Sequence, residues 1–479
     1  VAFLRENSWL LLLGALFIGL LGYSIWIDSW IGYLVPYALV VLFVAVFYTE
    51  YTFFFIIAMT PLSVNIEEYV DGFGLFLPTE PLLFGTMLLL VVQSLYSKVF
   101  PSYLWRNPIV ITVIVYLIWI LFTSITSEYP IVSFKYLLAR LWFIIPLLFY
   151  GSAVFADPKK IRWFLWLFLS GMIVAIMYTL VVHASYRFGE KESHWVMWPF
   201  FKDHTIYGAL VALVIPLIFA LYFSKKHAPL VQFILIGFMA VSLLGVYFSY
   251  TRAAWLSLIL ALGVWALIRF KVRFSLIATT TLLIVGIVWY SWDAIQQDLE
   301  RNKYEHTTEE FGERLQSATN VTTDASNLER INRWSCAIAM YQERPLTGFG
   351  PGTYAFEYAR FQEPEDLTII STNFGDMGNA HSEYLGPLSE MGLPGMLLVI
   401  ALVIAIFYQG ITLYNRWPKA DHETRTLIMG MILALSTYFI HGFLNNYLDT
   451  DKAAVPIWSM CAIFVALDAR LRSGKVRTN

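Results

Sequence analysis

The chain has 479 residues, of which 58% are hydrophobic and only 14% charged, with a formal net charge of −2. A soluble globular domain carries roughly a quarter charged residues, so this composition excludes that class. The net charge says little about partners, because most of the charge is confined to loops, and Cys336 and Cys461 lie in different segments without metal or redox spacing.

Apolar runs of about 20 residues, each long enough to cross a bilayer as a helix, recur along nearly the whole length. They predict an all-α polytopic membrane protein with spans near 8–28, 31–48, 49–63, 80–97, 108–126, 134–155, 160–184, 204–223, 229–249, 252–269, 273–292, 393–414, 424–443 and 453–469. The third is short enough to be re-entrant, which leaves 12–14 helices. The first run, Trp9 to Ile27, has neither the basic leader nor the cleavage site of a signal peptide. The basic clusters "DPKKIR" (157–162), "SKKHAP" (224–229), "RFKVRF" (269–274), "NRWPKADHETR" (415–425) and the tail 467–479 all fall on one side. That side is read as cytoplasmic, with both termini on it. Four regions follow: an N-terminal bundle (1–203), further membrane helices (204–292), an extracytoplasmic loop domain (293–392) and C-terminal helices (393–479).

The opposite face receives residues 65–81, the loop 185–203 and the long segment 293–380, with fifteen Asp and Glu against seven Lys and Arg. Within it, "SNLERINRWSCAIAMYQERP" predicts a helix. Ser326 and Glu329 make an S-x-x-E capping box, Ile331, Trp334, Ile338 and Tyr341 form an apolar stripe, and Pro345 ends it. The "TGFGPGTY" segment (347–354) reads as a glycine and proline turn, because neither a preceding strand nor a Lys-Ser/Thr pair supports a phosphate loop.

Ionisable residues gather at the outer ends of spans, where charge is costly and tends to face a cavity. Arg252, beside Ala253 and Ala254, reads either as a snorkelling arginine or as a guanidinium placed to grip phosphate. Arg140 lies more than a turn deeper than Lys135, so it either lines a polar cavity or is structural. His204 and His441 sit at membrane ends, where hydrogen-bonded structure competes with catalysis, and Lys202 and Asp203 form a rim.

The densest polar stretch is "NAHSEYLGPLSEMGLPG" (379–395). It predicts His381 in the first turn of a helix capped by Asn379, where the helix dipole favours the neutral imidazole a general base needs. Glu383 or Glu390 would serve as base instead or orient the ring, and a surface histidine on a linker helix is the alternative.

His381-Ser382, nine residues, then Gly392-Leu-Pro-Gly395 matches the H-[N/S/Q]-x9-G-x-x-G pattern, and this stretch resembles the O-antigen ligase and polymerase superfamily. The "TRAAW" element at 251–255 and the Pro345–Gly350 turn occur in that family's order, over roughly residues 200–445. The resemblance implies a GT-C-like membrane glycosyltransferase of the bacterial inner membrane, independent of metal and without a cofactor. Its donor would be a glycan on undecaprenyl diphosphate at the periplasmic face, attacked with inversion by a lipid A-core acceptor. Membrane lipids surround it, and no nucleic acid is involved. His381 takes the base role, with Glu383 beside it, and Arg252 the diphosphate role, which charge and position extend to Arg140 and Lys202. His204, Glu390 and His441 are supporting residues. A polymerase or a protein O-oligosaccharyltransferase shares this chemistry, and a lipid-linked sugar transporter is the reading from another class.

Overall fold

The structure is a computed structural model that describes residues 8–27, 40, 43–67, 74–273, scattered positions between 276 and 291, 325–363 and 378–474. The expected spans at 31–48 and 273–292 lie largely outside these residues. Among the described residues, nine helices are long and apolar enough to cross a membrane, and the chain is an all-α polytopic membrane protein.

In chain order, α1 is Ser8–Trp26 and α2 is Thr49–Met59. A short hairpin then pairs β1 (Val64–Asn65) with β2 (Phe76–Leu77) in antiparallel register before α3 (Thr79–Tyr96). The helices α4 (Pro108–Ile125), α5 (Pro130–Ile144), α6 (Pro158–Ser185) and α8 (Pro229–Phe248) each open on a proline. Its fixed φ suits the first helical turn, and its missing N–H would be unbonded there anyway. Beyond Ile144, α5 runs through a wide turn at Ile145–Tyr150, opened by Pro146, to Val154. Asp203 caps α7 (His204–Ser224) by accepting from the N–H of Thr205 and Ile206 at 2.7 and 3.0 Å.

The remaining helices are α9 (Arg252–Arg269), α10 (Ala325–Glu343), α11 (Leu385–Arg416), α12 (His422–His441) and α13 (Asp451–Arg472). The centre of the bundle is α7, which lies along α12, together with α13, whose residues Asp451–Leu467 are all buried. By contrast α8 and α9 leave Phe233, Ile236, Ile259 and Leu262 exposed, as lipid-facing helices do.

One local expectation is met and one is corrected. The apolar span expected from residue 393 does follow a break: Gly392 has φ 68 and ψ −173, outside the helical region, so the range Leu385–Arg416 given for α11 joins a short helix before Gly392 to the long one after it. On α10 the buried face is Glu329, Asn332, Arg333, Cys336, Ala337 and Met340, while Ile338 is 43% exposed. Glu329 turns inward to pair with Arg333 at 2.8 Å, and the expected capping box involves the Ser326 side chain, which lies outside the described residues. The charged end of this face lies against Tyr358, and its apolar end packs with Phe349 and Tyr354.

Candidate active site

His381 stands just before α11 rather than in its first turn. Its N–H donates to Asn379 Oδ1 at 3.0 Å, and the residue adopts a left-handed backbone with φ 46. The cap of α11 is Ser382, whose Oγ accepts from the N–H of Tyr384 and Leu385, both at 3.3 Å. A left-handed backbone costs a non-glycine residue about 1–2 kcal/mol, and such positions gather at functional sites. Burial pushes the His381 imidazole down to about 4, and the neighbouring Arg330 and Arg333 push the same way against Glu329 and a hydrogen bond with Asn445. Its ring is therefore neutral near pH 7.

Two more of the expected histidines converge here. His441, the last residue of α12, receives a hydrogen bond on Nε2 from Asn445 Nδ2 at 3.0 Å, so Asn445 stands between His441 and His381. His204 opens α7 with its ring 4.1 Å, centroid to centroid, from that of His194. Thr251 Oγ1 donates to the His204 carbonyl at 2.8 Å, which seats Arg252, the first residue of α9, beside the start of α7. Arg330 donates to the Leu444 carbonyl at 3.3 Å, and its charge bears on His204, His381 and His441 alike. Arg333 lies over the Tyr358 ring at 4.0 Å and is only 4% exposed. Among the described residues, Arg333 Nη1, Asn332 Nδ2, His204 Nδ1 and His441 Nδ1 are buried without a hydrogen-bond partner.

Beneath this cluster, two side chains clamp the loop 442–450. Glu383 Oε1 accepts from Tyr438 OH at 2.5 Å and from the N–H of Tyr447 and Leu448 at 2.7 and 2.9 Å. From the other side Arg140 donates to the Leu448 carbonyl at 2.5 Å and to Tyr136 OH at 2.6 Å. Burial raises the Glu383 carboxyl, and the Tyr438 hydrogen bond opposes it. One Glu383 oxygen thus already holds three donors, and both Arg140 Nη atoms are taken by protein partners, while its buried Nε has none among the described residues. Tyr447 OH bonds Thr205 Oγ1, tying the same loop to α7.

Glu390 serves the glycine turn. Its carboxylate accepts from the Tyr354 N–H at 3.1 Å and its carbonyl from Gly350 N–H at 2.8 Å. Gly350 has φ 117, and a Cβ there would overlap Ser127, so the turn fits only as glycine. Lys202 sits apart at the rim, its side chain 75% exposed and 4.0 Å from Glu67.

The structure thus brings together His381, His441, His204 and, through Thr251, Arg252. Glu383, Arg140 and Glu390 support the loops around them, and Lys202 stays outside. Sequence reading passed over Arg330, Arg333 and Asn445. Their signal was present: Glu329, Asn332 and Arg333 make a polar stripe at helical spacing, and Asn445 follows His441 by four residues. Among the described residues no three His, Cys, Asp or Glu side chains converge as a metal site.

A polytopic helical bundle with a histidine and arginine cluster at one end defines the class of protein. Residues 237–400 match the family model described as O-antigen ligase, which supports the resemblance to the O-antigen ligase and polymerase superfamily over the segment that holds Arg252, Arg330, Arg333 and His381. No curated protein matches the chain.

Proposed function

We propose that this protein is an inverting glycosyltransferase that moves a glycan from undecaprenyl diphosphate to a hydroxyl of a lipid A-core acceptor, with the histidine end of the bundle facing the periplasm. The observation that carries the reading is the set of buried nitrogens of Arg333, Asn332, His204 and His441 that have no partner among the described residues, around a neutral His381. Buried donors left unbonded cost about 1–3 kcal/mol each, so a cluster of them is explained by an anionic ligand that fills it.

The chemistry follows from the charges. His381 accepts the proton of the acceptor hydroxyl as that oxygen attacks the anomeric carbon, and the lipid diphosphate departs with the bonding pair. Arg330 and Arg333, with Arg252 at the start of α9, hold the departing diphosphate. Cations aimed there stabilise the transition state more than the ground state, because negative charge grows on the leaving group. Donor binding also prepares the base. A diphosphate beside Arg330 and Arg333 offsets the two charges that disfavour imidazolium, which raises the proton affinity of His381 once the donor is bound. The clustering of basic loops at the other end supports a cytoplasmic face there.

The experiment is transfer by purified protein from undecaprenyl-diphosphate glycan to candidate acceptors, in EDTA, comparing wild type with His381→Ala. Product on lipid A-core that survives chelation and falls by about 10²–10⁴-fold in the variant is the expected result. Product on a second lipid-linked glycan would make the protein a polymerase, and product on protein an O-oligosaccharyltransferase. Undiminished turnover in folded His381→Ala would overturn the mechanism.

A further inference from the structure

At the end of the bundle opposite the histidines, a cavity of about 300 Å³ opens between the starts of α6 and α12 and the end of α13. Its inner wall is apolar: Trp417, Leu427, Met431 and Leu467 are each at most 5% exposed. Its mouth is charged, and Arg470 stands without a carboxylate partner among the described residues. Glu423 is shared by Arg162 at 2.8 Å and Lys225 at 3.1 Å. Asp421 is occupied by the Thr424 N–H at 3.1 Å and by Trp417 Nε1 at 3.0 Å. Arg470 lines the same mouth and has no carboxylate within ion-pair distance among the described residues. Asp468, the acidic residue nearest it in sequence, bonds Arg472 at 2.8 Å. Within the lining Arg162 and Arg470 face Asp421 and Glu423. Because Lys225 from outside it shares Glu423 with Arg162, Arg470 is the cation left over. The first turns of α6 and α12 add partial positive charge and the last turn of α13 a partial negative one.

An apolar wall beneath a cationic rim, at the level where helices leave the membrane, matches one kind of molecule: an acyl chain carrying an anionic headgroup. We propose that this cavity binds an anionic phospholipid, with its phosphate between Arg162 and Arg470 and the start of an acyl chain against Leu427, Met431 and Leu467. The phosphate alone could come from lipid or from solution, but the apolar wall serves only the lipid. This inference is independent of the transfer reaction, since the site lies at the other end of α6, α12 and α13.

The test titrates the full chain in detergent with dioleoyl phosphatidylglycerol or dioleoyl phosphatidylcholine, read by native mass spectrometry and by the thermal unfolding midpoint. Wild type is expected to retain one phosphatidylglycerol per chain and gain stability from it, with neither effect from phosphatidylcholine. Arg470→Glu is expected to bind phosphatidylglycerol roughly tenfold or more weakly, as a reversed charge at a membrane surface predicts. Arg470→Gln carries the same test, with a smaller loss, if the reversal itself lowers the midpoint without lipid. Equal retention of the two lipids, unchanged binding in both Arg470 variants, or displacement by millimolar inorganic phosphate would each overturn the proposal.

Discussion

Two buried polar clusters lie at the histidine end of the bundle, and they are built on opposite principles. In one, Lys452 of α13 is 1% exposed, and its Nζ donates at 2.7 Å to the Thr60 carbonyl, the Ser63 carbonyl and Ser63 Oγ. Every proton of the ammonium is used. Its neighbour Asp451 accepts from Ser63 Oγ at 2.5 Å and from Thr79 Oγ1, leaving only Oδ1 without a partner among the described residues. This seam staples the C-terminal helix to the turn after α2 and to the start of α3. In the other cluster, Arg333 is 4% exposed, and its Nη1 together with Asn332 Nδ2, His204 Nδ1 and His441 Nδ1 has no hydrogen-bond partner among the described residues. Both clusters bear the desolvation cost of buried charge. The Lys452 seam meets it with protein partners, whereas the Arg333 cluster meets it in part through Glu329 and leaves Arg333 Nη1 without a partner among the described residues, the place the proposed function gives to the donor diphosphate.

The comparison breaks most visibly through single substitutions of opposite effect. His381→Ala is expected to lower turnover by about 10²–10⁴-fold while leaving the unfolding midpoint close to wild type, as measured by transfer assay and thermal scan. Lys452→Met is expected to do the reverse. Removing one partner of a buried pair strands Asp451 at a cost of about 3–5 kcal/mol, read by chemical unfolding, while the surviving folded fraction keeps its specific activity. If Lys452→Met instead removed activity at full stability, the seam would belong to the site, and the distinction between the clusters would fail.

How much of this was legible in the sequence follows the same divide. Spans could be placed because apolar run length depends on bilayer thickness and little else, so α4, α6, α7, α8 and α9 begin and end within a few residues of expectation. His381 was visible because its spacing to Gly392 is a local pattern. Arg330 and Arg333 were hidden because Ile331 and Trp334 on the same helix make an apolar stripe, and which face turns inward depends on what it packs against. Glu383 looked like a base because a carboxylate beside a histidine often is one. Its three donors come from α12 and the loop after it, 55–65 residues away, and no local reading reaches them.

Gly392 sharpens the comparison at the level of the backbone. Its φ of 68 is left-handed, and a Cβ there would overlap the Leu346 carbonyl, against which the Pro345 turn is laid. Leu393 N–H bonds the Pro345 carbonyl at 2.9 Å across this contact. Gly392→Ala is therefore expected to cost about 1–3 kcal/mol of stability by thermal unfolding, and to lower activity by displacing Glu390 and the glycine turn. Gly386→Ala is the control within the same motif. Its Cβ would meet nothing nearer than Ala380 at 3.8 Å, so its expected change lies within about 0.5 kcal/mol.

The smallest expected effect is the most diagnostic, because a purely structural arginine would not produce it. His381 titrates at about 4 in the folded protein, below the ordinary histidine value of 6.5. As pH falls from 6.5 toward 4 the unfolded chain takes up this proton first, so the His381 contribution, complete above 6.5, is lost across that window. In the reaction the same shift keeps the base unprotonated, and the acid limb of kcat/KM is expected near 4, the value of the free enzyme. Arg333→Gln removes one of the cations that disfavour imidazolium, so the limb should move up by roughly one pH unit. Glu329→Gln removes a carboxylate that favours imidazolium, so the limb should move down. Opposite displacements in these two variants would show that both charges act on the His381 proton. A limb fixed in both would place Arg333 and Glu329 with Lys452, as a buried pair that holds the fold and leaves the chemistry alone.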